Sequence, residues 1–183
     1  MEQKTIRVKI QGISPLLINR FQDKSIDSKS KRRTGNIIDD EIENKLYMHD
    51  DKPHIPAVYF RNAIIEASKQ FKIQGKGKST YSKLVGATVD VSPEMIELIP
   101  SEYTPFRIAA VNPSTKGRMM VTRPRFDEWG AEFNIILSDD GVPVSVMNEI
   151  VEQAGRYVGV GDWRPQKKGM FGKFMLISFE DKD

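Results

Sequence analysis

The chain has 183 residues, of which 39% are hydrophobic and 29% charged, enough for one well-buried domain and too few for two ordinary ones. Twenty-eight Lys and Arg against twenty-five Asp and Glu leave a formal charge of +3 with a pI near 9.0, so an anionic partner has to be held by local patches rather than by bulk charge. The absence of cysteine excludes a disulfide scaffold and thiolate metal sites and fits a cytoplasmic setting; no apolar run approaches the ~18 residues of a membrane span, and MEQKTIRVKI lacks the apolar core of a secretory signal.

Thr5 to Gly12 alternates Ile6, Val8 and Ile10 with polar residues, which predicts a half-buried strand. An apolar stub follows from Leu16 to Phe21. Residues 22–46 read as a flexible insertion, with the basic run Lys29 to Arg33 early in it and a short acidic helical turn or a strand at its end. Between Ala57 and Phe71 one face carries Phe60, Ala63, Ile64, Ala67 and Phe71, and Pro56 suits the first helical position, so a helix is predicted there. The lysine- and glycine-rich stretch from Gln74 to Lys83 is a loop, followed by a short strand from Met95 to Ile99.

Two strand-like runs, Arg107 to Val111 and Arg118 to Thr122, flank the turn-forming Asn112-Pro113-Ser114-Thr115-Lys116-Gly117. Their scattered apolar content predicts a hairpin over 104–127 that projects from the core. Glu132 to Leu137 is another strand. Val144, Met147, Ile150, Val151, Ala154 and Val158 keep helical spacing, and Phe174 to Phe179 is a last strand. Without its insertions the order is βαββαβ, an α+β fold of the ferredoxin-like or RRM-like kind: an antiparallel sheet with both helices on one face, as a single domain over 1–183.

Several motifs fail on context. Gly75 to Thr80 contains Gly-Lys-Ser, but Lys72 stands where a phosphate loop needs glycine, and a helix precedes instead of following. Gly159-Val160-Gly161 follows a helix instead of opening one, and Arg164 stands where the third glycine of a dinucleotide fingerprint belongs. No cofactor motif survives. His49 and His54 lie close enough in sequence for metal binding or acid–base work, yet Asp50-Asp51-Lys52-Pro53 is turn chemistry that places them in an exposed turn. Asp39-Asp40 and Asp139-Asp140 read as loop and capping residues.

The stretch from Gly159 to Phe174 is the most specific feature. Its glycines let backbone approach a ligand, Arg164, Lys167 and Lys168 can neutralise phosphates, and Trp163 and Phe171 can stack on bases. The alternative is a tight connection with Trp163 plugging the core. With Arg20, Arg32, Arg33, Arg61, Lys76, Lys78, Lys116, Arg118, Arg123 and Arg125, these residues form the candidate nucleic-acid track.

Three segments in order resemble the RAMP superfamily, especially the subunits that line guide RNA in multi-subunit CRISPR effector complexes. They are Ile13-Ser14-Pro15-Leu16-Leu17 after the first strand, Ile55-Pro56-Ala57-Val58-Tyr59-Phe60-Arg61-Asn62-Ala63 at the helix start, and the Gly159 to Phe174 loop. The second is similar to the family's Ile-Pro-Gly-Ser-Ser-Leu-Lys-Gly-Ala, without its hydroxyls. The resemblance implies that the hairpin is a thumb separating segments of bound RNA. It also implies that Asp23 or Asp27 in the first long loop occupies the place where some members carry a cleaving aspartate. The expectation is a protein that binds single-stranded nucleic acid, RNA ahead of DNA, and assembles along the strand as a homo-oligomer or within a multi-subunit complex. The alternatives are a RAMP-type endoribonuclease using His49 or His54, and a phage-encoded single-stranded DNA-binding protein or subunit mimic.

Overall fold

The computed structural model describes residues 3–21, 42–112 and 114–182, so Arg32, Arg33, Asp23, Asp27, Asp39 and Asp40 lie outside the described residues. The described residues form a mixed α and β fold of helices and antiparallel sheets.

The main sheet holds β1 (Lys4–Gly12), β5 (Val89–Ser92), β9 (Gly130–Leu137) and β10 (Phe174–Asp181) in the order β10-β1-β9-β5, each pair antiparallel. Alternation works as it should in a sheet with one covered face. Ile6, Val8 and Ile10 of β1 and Ala131, Phe133, Ile135 and Leu137 of β9 are buried, while Arg7, Lys9 and Glu132 emerge on the outer face. There Glu132 accepts from Arg7 at 2.9 Å and lies 3.1 Å from Lys9, and these two hydrogen-bonded cations hold its carboxyl below the usual range.

The inner face is covered by α1 (Ala57–Ser68) and α3 (Val144–Gln153), which a π-helical turn prolongs through Ala154–Val158. Phe60 of α1 stacks on Phe133 at 4.6 Å and meets Phe174 edge-on at 5.9 Å. Trp129, fully buried, meets Phe174 edge-on at 6.3 Å, and its indole donates to the Ser14 carbonyl at 2.8 Å. The core plug is therefore Trp129 and not Trp163, which is half-buried at the surface.

Two small sheets flank this body. β3 (Tyr47–His49), β4 (Lys52–Pro56) and β6 (Met95–Glu97) form one, and β2 (Leu16–Leu17), β8 (Arg118–Phe126) and β7 (Thr104–Val111) form the other. The long β7–β8 hairpin carries half-exposed and exposed residues along most of its outer length, as an arm projecting from the core does.

The structure corrects the sequence expectations at three points. Val89–Ser92, directly after the short helix α2 (Ser82–Thr88), is the edge strand of the main sheet, whereas Met95–Glu97 pairs with β4 in the small sheet. A four-residue strand on the heels of a helix carries too little alternation to be read from sequence. His54 is not in an exposed turn: it lies in β4, only 7% exposed. The turn falls on Asp50 and Asp51, both left-handed with φ of 48° and 58°, as a two-residue hairpin connection demands. Finally, the end of the 22–46 segment is anchored, with Ile42 and Leu46 buried in the core around a helical turn.

Candidate nucleic-acid interface

The loop over residues 159–173 is two backbone runs laid against each other and against the segment before β2. Val160 N–H donates to Gly172 O, Gly172 N–H to Pro15 O, Asp162 N–H to Leu17 O, and Phe171 N–H to Trp163 O, at 2.8–3.1 Å. This strapping requires glycine. Gly161 and Gly172 have φ of 79° and 70°, and a Cβ on either one meets a carbonyl oxygen, that of Leu17 or of Val160. The loop is thereby a rigid shelf on which Trp163, Arg164, Lys167, Lys168 and Phe171 stand.

Between the shelf and α1 lies a cleft of about 490 Å³. Tyr59, Asn62 and Glu66 line it from the helix, Asn19 from the segment after β2, and Asp162, Arg164 and Gln166 from the shelf. Tyr59 is hydrogen-bonded to Tyr47 at 3.1 Å. One bond between two hydroxyls leaves one phenolic proton for a ligand. Burial, then the bond to Tyr47, push the Tyr59 phenol far above its ordinary range, so it stays neutral at physiological pH. Asn19 Oδ1 is a buried side-chain acceptor without a hydrogen-bond partner.

Arg20, next in sequence to Asn19, holds its guanidinium 5.9 Å from the ring centre of Tyr47, the hydrogen-bond partner of Tyr59. Arg164 reaches back to Gly161 O and to Gln166 Oε1 at 3.1 and 2.9 Å. At the base of the hairpin Arg123 donates to Asp162 at 2.9 Å. Arg125 pairs with Asp127 at 2.7 Å and covers the Phe106 ring at 5.1 Å, and Phe106 in turn touches Phe171 at 5.7 Å. So of the candidate track Arg164 lines the cleft itself, Trp163, Lys167, Lys168 and Phe171 stand on the shelf, and Arg123 and Arg125 reach the shelf through Asp162 and through Phe106.

The structure does not bring the rest there. Arg61 donates to the Val89 and Gly86 carbonyls at 2.9 and 2.7 Å and faces Asp90, so its guanidinium braces α1 against β5 and takes no place in the cleft. Lys76 and Lys78 stand exposed on the loop between α1 and α2, and Lys116 and Arg118 at the far end of the hairpin. His49 and His54 stack edge-on at 5.4 Å in the β3–β4 hairpin, with His54 Nδ1 3.0 Å from Lys52 O, and neither lines the cleft. Among the described residues no group of three or more His, Asp or Glu is placed to hold a metal ion.

Sequence reasoning overlooked Asn19, Tyr47, Tyr59, Asn62 and Asp162 because it sought cations and flat rings. One signal was available: Tyr59, Asn62, Ala63 and Glu66 recur at i, i+3, i+4 and i+7, a second stripe of α1 beside its apolar face.

No family model and no curated protein matches the sequence. Among solved structures, the chain is similar to a chain of the cryo-EM structure of the Type III-B Cmr-beta bound to cognate target RNA. The TM-score is 0.55 at 14% identity, covering 98% of this chain and 61% of that one. The likeness is one of fold, and this chain spans about 61% of the neighbour's length. No helix among the described residues is long and apolar enough to cross a membrane.

Proposed function

We propose that the protein binds the backbone of single-stranded nucleic acid, RNA in preference to DNA, along the cleft between α1 and the glycine shelf. The observation that carries this reading is an open cleft lined by Arg164, Tyr59, Asn62 and Asn19, with Arg20, Trp163, Lys167, Lys168 and Phe171 on the chain segments that supply its walls; Arg20, Arg164, Lys167 and Lys168 have no acidic partner among the described residues. Cations track phosphates, and flat rings accept bases of any sequence. The phenolic proton of the Tyr47–Tyr59 pair suits a phosphate or ribose oxygen, and the unpartnered Asn19 Oδ1 suits the ribose 2′-hydroxyl of RNA as its donor.

We read the order β10-β1-β9-β5 with two helices on the inner face as the ferredoxin-like, RRM-like arrangement, and we assign the chain to the RAMP-type subunits on that ground together with its three motifs. The structural neighbour belongs to an RNA-bound complex, and on this reading the chain assembles side by side with copies or related subunits along the strand. On this reading the β7–β8 hairpin acts as the thumb, with Lys116 and Arg118 following the strand beyond the cleft.

Two substitutions test the assignment. Arg164→Glu puts a negative charge on the wall of the cleft and is expected to weaken binding of a single-stranded RNA about tenfold or more in fluorescence anisotropy. Asp162→Asn is expected to do the reverse. It frees Arg123, removes the carboxylate beside Arg164, and tightens binding about threefold at low salt, with the dependence on salt steeper by ~0.7 in log–log slope. Asp162→Asn also leaves Arg123, only 12% exposed, without its counter-charge, at a stability cost of about 1 kcal/mol. Unchanged affinity in both variants places the strand elsewhere.

A further inference from the structure

A second cleft, of about 460 Å³, opens between α1 and the helix that ends in Tyr157 and Val158. Glu66 and Gln166 line both clefts, so the second continues the first. Its lining is of a different character. Tyr157 stands 67% exposed, on the π-helical turn Ala154–Val158, and its ring packs on no other ring among the described residues. π-Bulges of this kind recur at functional sites because the extra residue re-aims the side chains that follow.

The walls bear amides. The Gln70 and Gln153 side chains make no hydrogen bond within the described residues, and Gln166 has lent only its Oε1, to Arg164. No Lys or Arg lines this groove, and Lys69, just past the end of α1, is paired at 2.5 Å with Glu66 Oε2. A phosphate has little to gain here. A flat ring with donors and acceptors on its edge gains a tyrosine face, the apolar Val158 and free amides.

We propose that this groove takes a single nucleobase out of the strand bound in the neighbouring cleft, and that the base is adenine. The inference rests on the nucleic-acid reading above and adds to it a position of base preference. Glutamine presents a donor and an acceptor in the spacing of the adenine N6–N7 edge. The second oxygen of Glu66 accepts from an exocyclic amine, which adenine has and uracil lacks; uracil turns carbonyl oxygens toward the carboxylate instead. The larger purine ring also covers more of Tyr157.

The test uses the full chain and fluorescence anisotropy with three short RNA strands: all-uridine, all-uridine with one central adenosine, and the same strand with an abasic site there. The adenosine strand is expected to bind about tenfold more tightly than the other two. Tyr157→Ala and, separately, Gln153→Ala are expected to bring it to the all-uridine level without changing the affinity of the all-uridine strand, and Tyr157→Phe to keep most of the preference. Equal binding of the three strands by the unsubstituted protein overturns the proposal, as does a Tyr157→Ala variant that weakens all three alike. Failure to bind any strand overturns the nucleic-acid reading itself, a result distinct from either.

Discussion

Gly172→Ala is expected to abolish nucleic-acid binding while leaving the fold in place. At φ of 70° an alanine is strained, and its Cβ is driven into the Val160 carbonyl oxygen. That carbonyl belongs to the run of backbone that carries Asp162, Trp163 and Arg164. Relief requires the two runs of the shelf to part, which breaks the Val160–Gly172 and Gly172–Pro15 hydrogen bonds and displaces both stacking rings. Each ring is worth about 1–3 kcal/mol per base, so losing both lowers affinity about 10²-fold or more. Gly75→Ala is the control. Gly75 is equally left-handed, at φ of 77°, but nothing lies within 4 Å of a Cβ there. Its cost is backbone strain of about 1–2 kcal/mol, with binding unchanged if the Lys76–Lys78 loop takes no part in the interface. Far-UV circular dichroism and anisotropy on both variants separate the effects; a Gly172→Ala protein that binds normally refutes the role given to the shelf.

Trp129→Ala is expected to have the largest effect on stability. The indole is fully buried, meets Phe174 edge-on and donates to Ser14 O at 2.8 Å. Removing it leaves a cavity and an unpaired carbonyl, at a cost of about 3–5 kcal/mol, which corresponds to a fall in Tm on the order of 10 °C for a chain of this size. Ser14 also accepts the Lys173 N–H on its Oγ at 2.9 Å, so the tryptophan fastens the segment to which the shelf is strapped. Trp129→Phe keeps most of the volume without the N–H and is expected to lose less than half as much. A thermal melt of Trp129→Ala within a degree or two of the unsubstituted protein contradicts this account of the core.

What was legible in the sequence follows from where periodicity is strong. β1 and β9 alternate over eight or nine residues and α1 and α3 keep one apolar face for two turns or more, so their positions follow directly. The hairpin was legible from its turn residues: Asn112 Oδ1 accepts from the Ser114 and Thr115 N–H groups at 2.9 and 3.2 Å, the Asx chemistry that such a tip calls for. β5 was not legible because four residues make too short a pattern, and β4 because His54 and Pro53 look like turn residues until burial is known.

The site was half legible. A glycine-rich stretch with interleaved bases and rings marked the shelf. Which arginines face it was hidden, since Arg61 and Arg164 look alike in sequence and only the fold reveals that one braces a helix on backbone carbonyls while the other lines a cleft. The neutral polar groups of Tyr47, Tyr59 and Asn19 were invisible for the same reason: their chemistry comes from being brought together across some forty residues of chain.

The most direct test is the salt dependence of single-stranded RNA binding. Four cations without an acidic partner among the described residues, Arg20, Arg164, Lys167 and Lys168, joined by Arg125 as it exchanges its carboxylate for a phosphate, predict log K falling with log salt at a slope of about −3 to −4. A slope near zero, or binding confined to duplex, contradicts a cationic track for a single strand.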